Sequence, residues 1–208
     1  MYKPERVLFL SAHPDDELNV AGTLHKFRSQ SVLVSYTVFS NCSIDSIELG
    51  VNPLDLDCEM DLALDIIDIL SRNRYSFLYK ARYFPEHRQS ICHDMFSLNK
   101  QLSPDLVIVP NTKDLHQDHC VIRDEARRAF RQCSILGYES TRAPIGPDNL
   151  LFIELGNGDI QAKERVMECY QTQSSRINIE VRMDLCKVRG SQIGCEYAEA
   201  FEVIRLIS

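Results

Sequence analysis

The stretch Val7-Leu8-Phe9-Leu10-Ser11-Ala12-His13-Pro14-Asp15-Asp16-Glu17 decides how this chain is read. Its first four residues form an unbroken apolar run, the pattern of a strand buried on both faces of a parallel sheet. Its last five place a histidine and three carboxylates directly at the carboxyl end of that strand. Pro14 disfavours a helical backbone at His13, so His13 is presented from a loop, with Asp15 and Asp16 near the start of a helix predicted over residues 17–28. That helix carries Leu18, Ala21, Leu24, His25 and Phe27 on one side. Residues 31–39, rich in β-branched and aromatic side chains, read as a second strand and complete a βαβ unit.

Working outward, helices are predicted over 58–70, 85–102, 118–131, 159–171 and 180–189, and strands over 75–79, 106–110, 135–138 and 149–154. Residues 198–207 fit either type. The loop over 40–56 is long for a compact domain, which marks it as functional or mobile. No repeat or linker interrupts the chain. The economical architecture is one α/β domain over residues 1–208, with right-handed crossovers and a mostly parallel sheet flanked by helices on both faces.

Composition agrees. With 208 residues, 44% hydrophobic and 25% charged, the chain can bury a core without disulfide or metal staples. It has 23 Lys plus Arg against 30 Asp plus Glu, a net charge of −7, which speaks against a surface built for nucleic acid. No apolar run approaches the roughly 20 residues of a membrane span, and the first apolar segment meets His13 too early for a signal peptide. The expectation is a cytoplasmic protein with no integral membrane segment. Eight cysteines, none in a Cys-x-x-Cys pair, read as reduced thiols used as small apolar residues.

A second cluster, Asp114-Leu115-His116-Gln117-Asp118-His119, follows the strand Leu106-Val107-Ile108-Val109-Pro110. In open parallel sheets ligands bind outside the carboxyl ends of the strands, so two remote segments deliver histidine and carboxylate to one edge. A catalytic zinc site takes three such ligands and leaves a position for water. His13, His119 and a carboxylate of the Asp15-Asp16 pair make that set, with the other aspartate free to act as general base. The second imidazole, His116, is then placed beside the substrate. Asp118 is read as orienting His116 and favouring its charged form, a donor toward a developing oxyanion.

The strings Ala12 to Glu17 and His116 to His119 resemble the two signature motifs of the PIG-L, or LmbE-like, zinc-dependent N-deacetylases. The resemblance continues through Pro104 to Pro110 and Gly194 to Leu206. It implies a Rossmann-like fold and removal of an acyl group, usually acetyl, from an amino sugar or its conjugate. By motif position it implies one Zn2+ held by His13, Asp16 and His119, Asp15 as base, and His116 with Asp118 as an electrostatic pair; another divalent first-row metal suits the same ligands. Zinc-bound water would attack the carbonyl, Asp15 taking its proton and passing it to the departing amine. Many relatives assemble, so a homo-oligomer is among the expectations.

Two departures bear on the substrate, expected to be a small N-acetylated sugar or glycoconjugate. Only Gly22 remains where many members have a glycine-rich stretch after the first motif. Where many carry an arginine three residues before a glutamate in the second helix, this chain has Leu56 and Glu59. Arg88 is the candidate substitute for holding the sugar, set against its reading as part of a solvated helix face. His25, His87 and His93 receive no role. Three rival readings stand beside this one: an amidase of the same chemistry acting on a non-sugar N-acyl compound, a phospho-acceptor receiver domain, and a non-catalytic nucleotide-sugar binding module. The receiver needs an aspartate ending its third strand and a lysine near the end of its fifth, and neither is convincingly placed.

Overall fold

The computed structural model describes residues 4–42, 52–141, 150–175 and 177–207. Strand β1, Arg6–Ser11, is an interior strand, next to the central β4, of a seven-stranded sheet of order β3-β2-β1-β4-β5-β7-β6. It pairs in parallel with β2, Leu33–Val38, and with β4, Leu106–Pro110. Beyond β2 lies the short β3, Arg74–Ser76, and beyond β4 lies β5, Ser134–Tyr138, both parallel to their neighbours. The long β7, Tyr197–Arg205, runs antiparallel between β5 and β6, Leu150–Leu155. The sheet is α/β, mostly parallel and Rossmann-like.

The apolar run of β1 is explained by its two buried faces. Val7 and Phe9 enter one core with α1 (Ala21–Ser29), α2 (Pro53–Ile66), α5 (Asn157–Cys169) and α6 (Ile179–Ile193). Leu8 and Leu10 point to the other, packed by α3 (Arg88–Leu102) and α4 (Gln117–Ala129). Strand β4 repeats the alternation, Leu106 and Ile108 against Val107 and Val109. From β1 the chain moves outward to β2 and β3, then returns to β4 and proceeds the other way. The adjacent carboxyl ends of β1 and β4 are therefore a topological switch point, the place where open α/β sheets bind their ligands.

Several local expectations shift. The helix predicted over 17–28 divides into a 3-10 turn, Asp16–Asn19, and α1, with a break at Val20. The Glu199 carboxylate on β7 accepts the Gly22 and Thr23 amides and so starts a new helix there. Helix α2 begins earlier than residue 58, because Asn52 caps it by accepting from the Leu54 amide and Pro53 sits in its first turn. Residues 84–87 form a 3-10 turn before α3. The ambiguous C-terminal segment is the strand β7. The loop over 40–56 lies partly outside the described residues, as does Asn149. All eight cysteines are free, and among the described residues no helix is long and apolar enough to cross a membrane.

Helix α6 lies hard against the start of β7. A Cβ on Gly190 would come within 2.6 Å of the Glu196 carbonyl and the Tyr197 nitrogen. Backbone cannot yield as a side-chain tip does, so Gly190→Ala should destabilise the protein by about 2 kcal/mol. The check is a urea titration, with a lower midpoint and an unchanged slope.

Candidate active site

The loop leaving β1 is closed by its own aspartate. Asp16 Oδ2 accepts the amide hydrogens of Ala12 at 2.8 Å and His13 at 3.1 Å, and the Ser11 hydroxyl at 3.3 Å. Its other oxygen, Oδ1, lies 3.3 Å from His119 Nε2. Asp15, half-buried, sits at φ 91°, ψ −9°. That left-handed backbone is uncommon for a residue with a side chain, is best tolerated by Asp and Asn, and concentrates at functional sites.

After β4, Asp114 organises the second loop. One oxygen accepts the His116 amide at 2.9 Å and the other lies 2.7 Å from His119 Nδ1. His116 occupies the N-cap of α4, where its Nδ1 accepts the Asp118 amide hydrogen at 3.2 Å. That contact leaves the proton of neutral His116 on Nε2. Asp118, fully buried, lies 2.8 Å from His13 Nε2 and accepts the amides of Arg82 at 2.5 Å and Phe84 at 3.3 Å. The His13, His116 and His119 rings converge, with one nitrogen from each within 4.8 Å of the others.

The charges are strongly coupled. Burial opposes ionisation of Asp16, but the imidazoles of His119 and His13 outweigh it and hold its carboxyl well below the usual range. Burial likewise disfavours charged His119, yet Asp16 and Asp114 raise its pKa well above that of a free imidazole. Asp114 and Asp118 are lowered despite burial, chiefly by His119 and His13 respectively. His116 is lowered by burial and by its two neighbouring imidazoles, which prevail over Asp118. Directly behind the site, burial pushes Glu17 up to about 7, against the hydrogen bond it accepts from Tyr170.

The structure thus brings His13, Asp16, His116, Asp118 and His119 together across the switch point, with Asp15 in the same loop. The Asp118 carboxylate, however, goes to His13 rather than to His116, and the surroundings of His116 favour its neutral form. Arg88 is not brought to the cluster: its Nε and Nη2 donate to Glu125 at 2.8 and 2.6 Å. His25 Nδ1 lies 2.8 Å from Asp159. Leu56 is buried in the core, so no cation comes from that position. Sequence reasoning gave Asp114 no role; the available signal was a carboxylate two residues before one loop histidine and five before the other.

The donor set suits a divalent cation. Three imidazoles and a deprotonated carboxylate face one another, and carboxylates fix the outer nitrogen of His119 and the ring of His13, as in zinc sites.

A sequence model of one family, PIG-L: GlcNAc-PI de-N-acetylase, matches residues 8–130. The chain belongs to the PIG-L family. The matched segment of this PIG-L chain contains both loops. Solved structures extend the likeness beyond it. A conserved protein from Thermus thermophilus, TT1542, superposes with a TM-score of 0.79 at 19% identity, covering 99% of this chain and 96% of that one. The antimicrobial reagent A40926 pseudoaglycone deacetylase Dbv21 gives 0.77 at 18%, covering 98% and 99%. The N,N'-diacetylchitobiose deacetylase from Pyrococcus horikoshii gives 0.74 at 15%, covering 97% and 84%. No curated protein sequence matches the PIG-L chain.

Proposed function

We propose that this chain is a metal-dependent hydrolase that removes an N-acetyl, or closely related N-acyl, group from an amino sugar or amino-sugar conjugate. The observation that carries the reading is the convergence of three imidazoles and the Asp16 carboxylate at the switch point, beside an aspartate in a left-handed backbone conformation. Family membership and the deacetylase activities named for two structural neighbours support the reaction class.

His13, Asp16 and His119 would hold the cation, zinc by the chemistry of the set. A zinc ion so held supplies Lewis acidity and a water of lowered pKa. Asp15 accepts the proton lost by the attacking water and returns it to the departing amine. His116, its Nδ1 occupied by the Asp118 amide, presents Nε2–H as a donor to the negative charge that builds on the carbonyl oxygen. Asp114 and Asp118 keep the rings of His119 and His13 in place.

Elemental analysis of the tag-free protein, followed by an acetate-release screen, tests this. The expected result is about one zinc per chain and acetate released from at least one N-acetylated amino sugar. Release only from non-sugar N-acyl amines would overturn the substrate class. A protein that holds no metal after reconstitution would overturn the reaction.

A further inference from the structure

Residues 16–23 carry the candidate ligand Asp16 through one 3-10 turn, a break and the start of α1; the Asp16 carboxylate is tied to the Ala12 and His13 amides. Neither start of helix behind it has a local side-chain cap: Asp15 and Val20, the residues at the two N-cap positions, make no side-chain capping bond. The free carbonyls and amides at such a break need partners from elsewhere.

Partners come from the C-terminal third of the chain. Lys163 Nζ, on α5, donates to the Leu18 and Asn19 carbonyls at 2.7 and 3.1 Å. Glu199, on β7, accepts the Gly22 amide at 3.2 Å and the Thr23 amide at 2.8 Å. The two side chains pair at 2.6 Å with only 2% and 4% of their surface exposed. Arg182, on α6, donates at 2.6 Å to Asn19 Oδ1, and Asn19 Nδ2 donates at 2.9 Å to the carbonyl of Asp16 itself.

A buried ion pair is a poor way to gain stability, since well-packed apolar residues of similar volume commonly serve as well or better. What this pair supplies is direction. A cation fixes the last carbonyls of the turn and an anion fixes the first amides of the next helix, so the angle between the two segments is set from outside. We infer that Lys163 and Glu199, assisted by Arg182 through Asn19, are positioning residues that hold Asp16 at the spacing a metal ion requires. The inference rests on the functional reading above and extends it to residues outside the histidine cluster.

Lys163→Met alone would leave a buried carboxylate without its cation and invites unfolding. The test is therefore the double variant Lys163→Met with Glu199→Gln, which keeps an oxygen acceptor for the Thr23 amide and removes both charges. The matched control is Glu59→Gln, a buried carboxylate on α2 that accepts the amide and hydroxyl of Thr172. Zinc dissociation constants, visible spectra of the cobalt(II) forms and the division of any rate loss between kcat and KM are measured for each. In the double variant the expected results are zinc binding weakened by about 10- to 100-fold, an altered cobalt spectrum, and a fall in kcat with little change in KM. Glu59→Gln should lower the Tm and leave the metal readouts unmoved. A double variant with wild-type zinc affinity and cobalt spectrum would overturn the inference. So would an equal loss of affinity in Glu59→Gln, because general destabilisation would then account for it. A wild-type protein that takes up neither metal would instead bring down the functional reading on which the inference depends.

Discussion

Asp15→Asn is expected to lower kcat by about 10³-fold, close to 4 kcal/mol of barrier, while the protein keeps its metal and its stability. The substitution is chosen for its backbone. Asp15 lies at φ 91°, where asparagine is nearly as much at ease as aspartate, whereas alanine adds about 1–2 kcal/mol of strain that would confuse the result. Asparagine cannot accept the proton of an attacking water, so the loss reports the base alone. Metal retention follows from the division of labour in the loop, since Asp16, not Asp15, lies beside His119 and is tied down by the Ala12 and His13 amides. Stopped-flow or discontinuous acetate assays give kcat, and elemental analysis of the same sample gives metal. Near-normal turnover in Asp15→Asn would remove Asp15 from the mechanism.

His119→Ala should cost both metal and turnover. Its ring lies between Asp16 at 3.3 Å and Asp114 at 2.7 Å, so it would be at once a ligand and the charge that reconciles two buried carboxylates. Without it the metal-free protein should lose about 3 kcal/mol of stability, the usual cost of stranding one partner of a buried pair. Denaturant titration reads that loss, and zinc retained after dialysis reads the site. His116→Ala separates the two kinds of histidine. If His116 is a donor and not a ligand, that variant keeps its zinc and loses rate. Loss of zinc from His116→Ala with retention in His119→Ala would exchange their roles.

The parallel sheet and both loops of the candidate site are legible because their signals are local. Val7 to Leu10 and Leu106 to Pro110 are unbroken apolar runs, and the ionisable strings follow them directly. The start of α2 is written in its cap, Asn52-Pro53, whereas the apolar spacing that marks its body begins only at Met60. The division of the first helix could not be read locally, because its causes, Lys163 and Glu199, lie 145 and 177 residues along the chain from Leu18 and Gly22, the groups they hold. The same limit explains Asp118. Sequence proximity suggested His116 as its partner, whereas the crossing of two loops over the switch point delivers His13 to it instead.

The pairing of β1 with β4 also bears on the order in which the protein can assemble. Val7 stands in register with Leu106, so the two loops meet only after about a hundred residues of intervening chain have been gathered in, a slow and entropically costly closure. Small zinc modules gather their ligands from neighbouring residues and let the ion nucleate the fold. Here the opposite order is expected: pairing of β1 with β4 would bring the two loops together, and a metal ion would be a late arrival to a framework already standing.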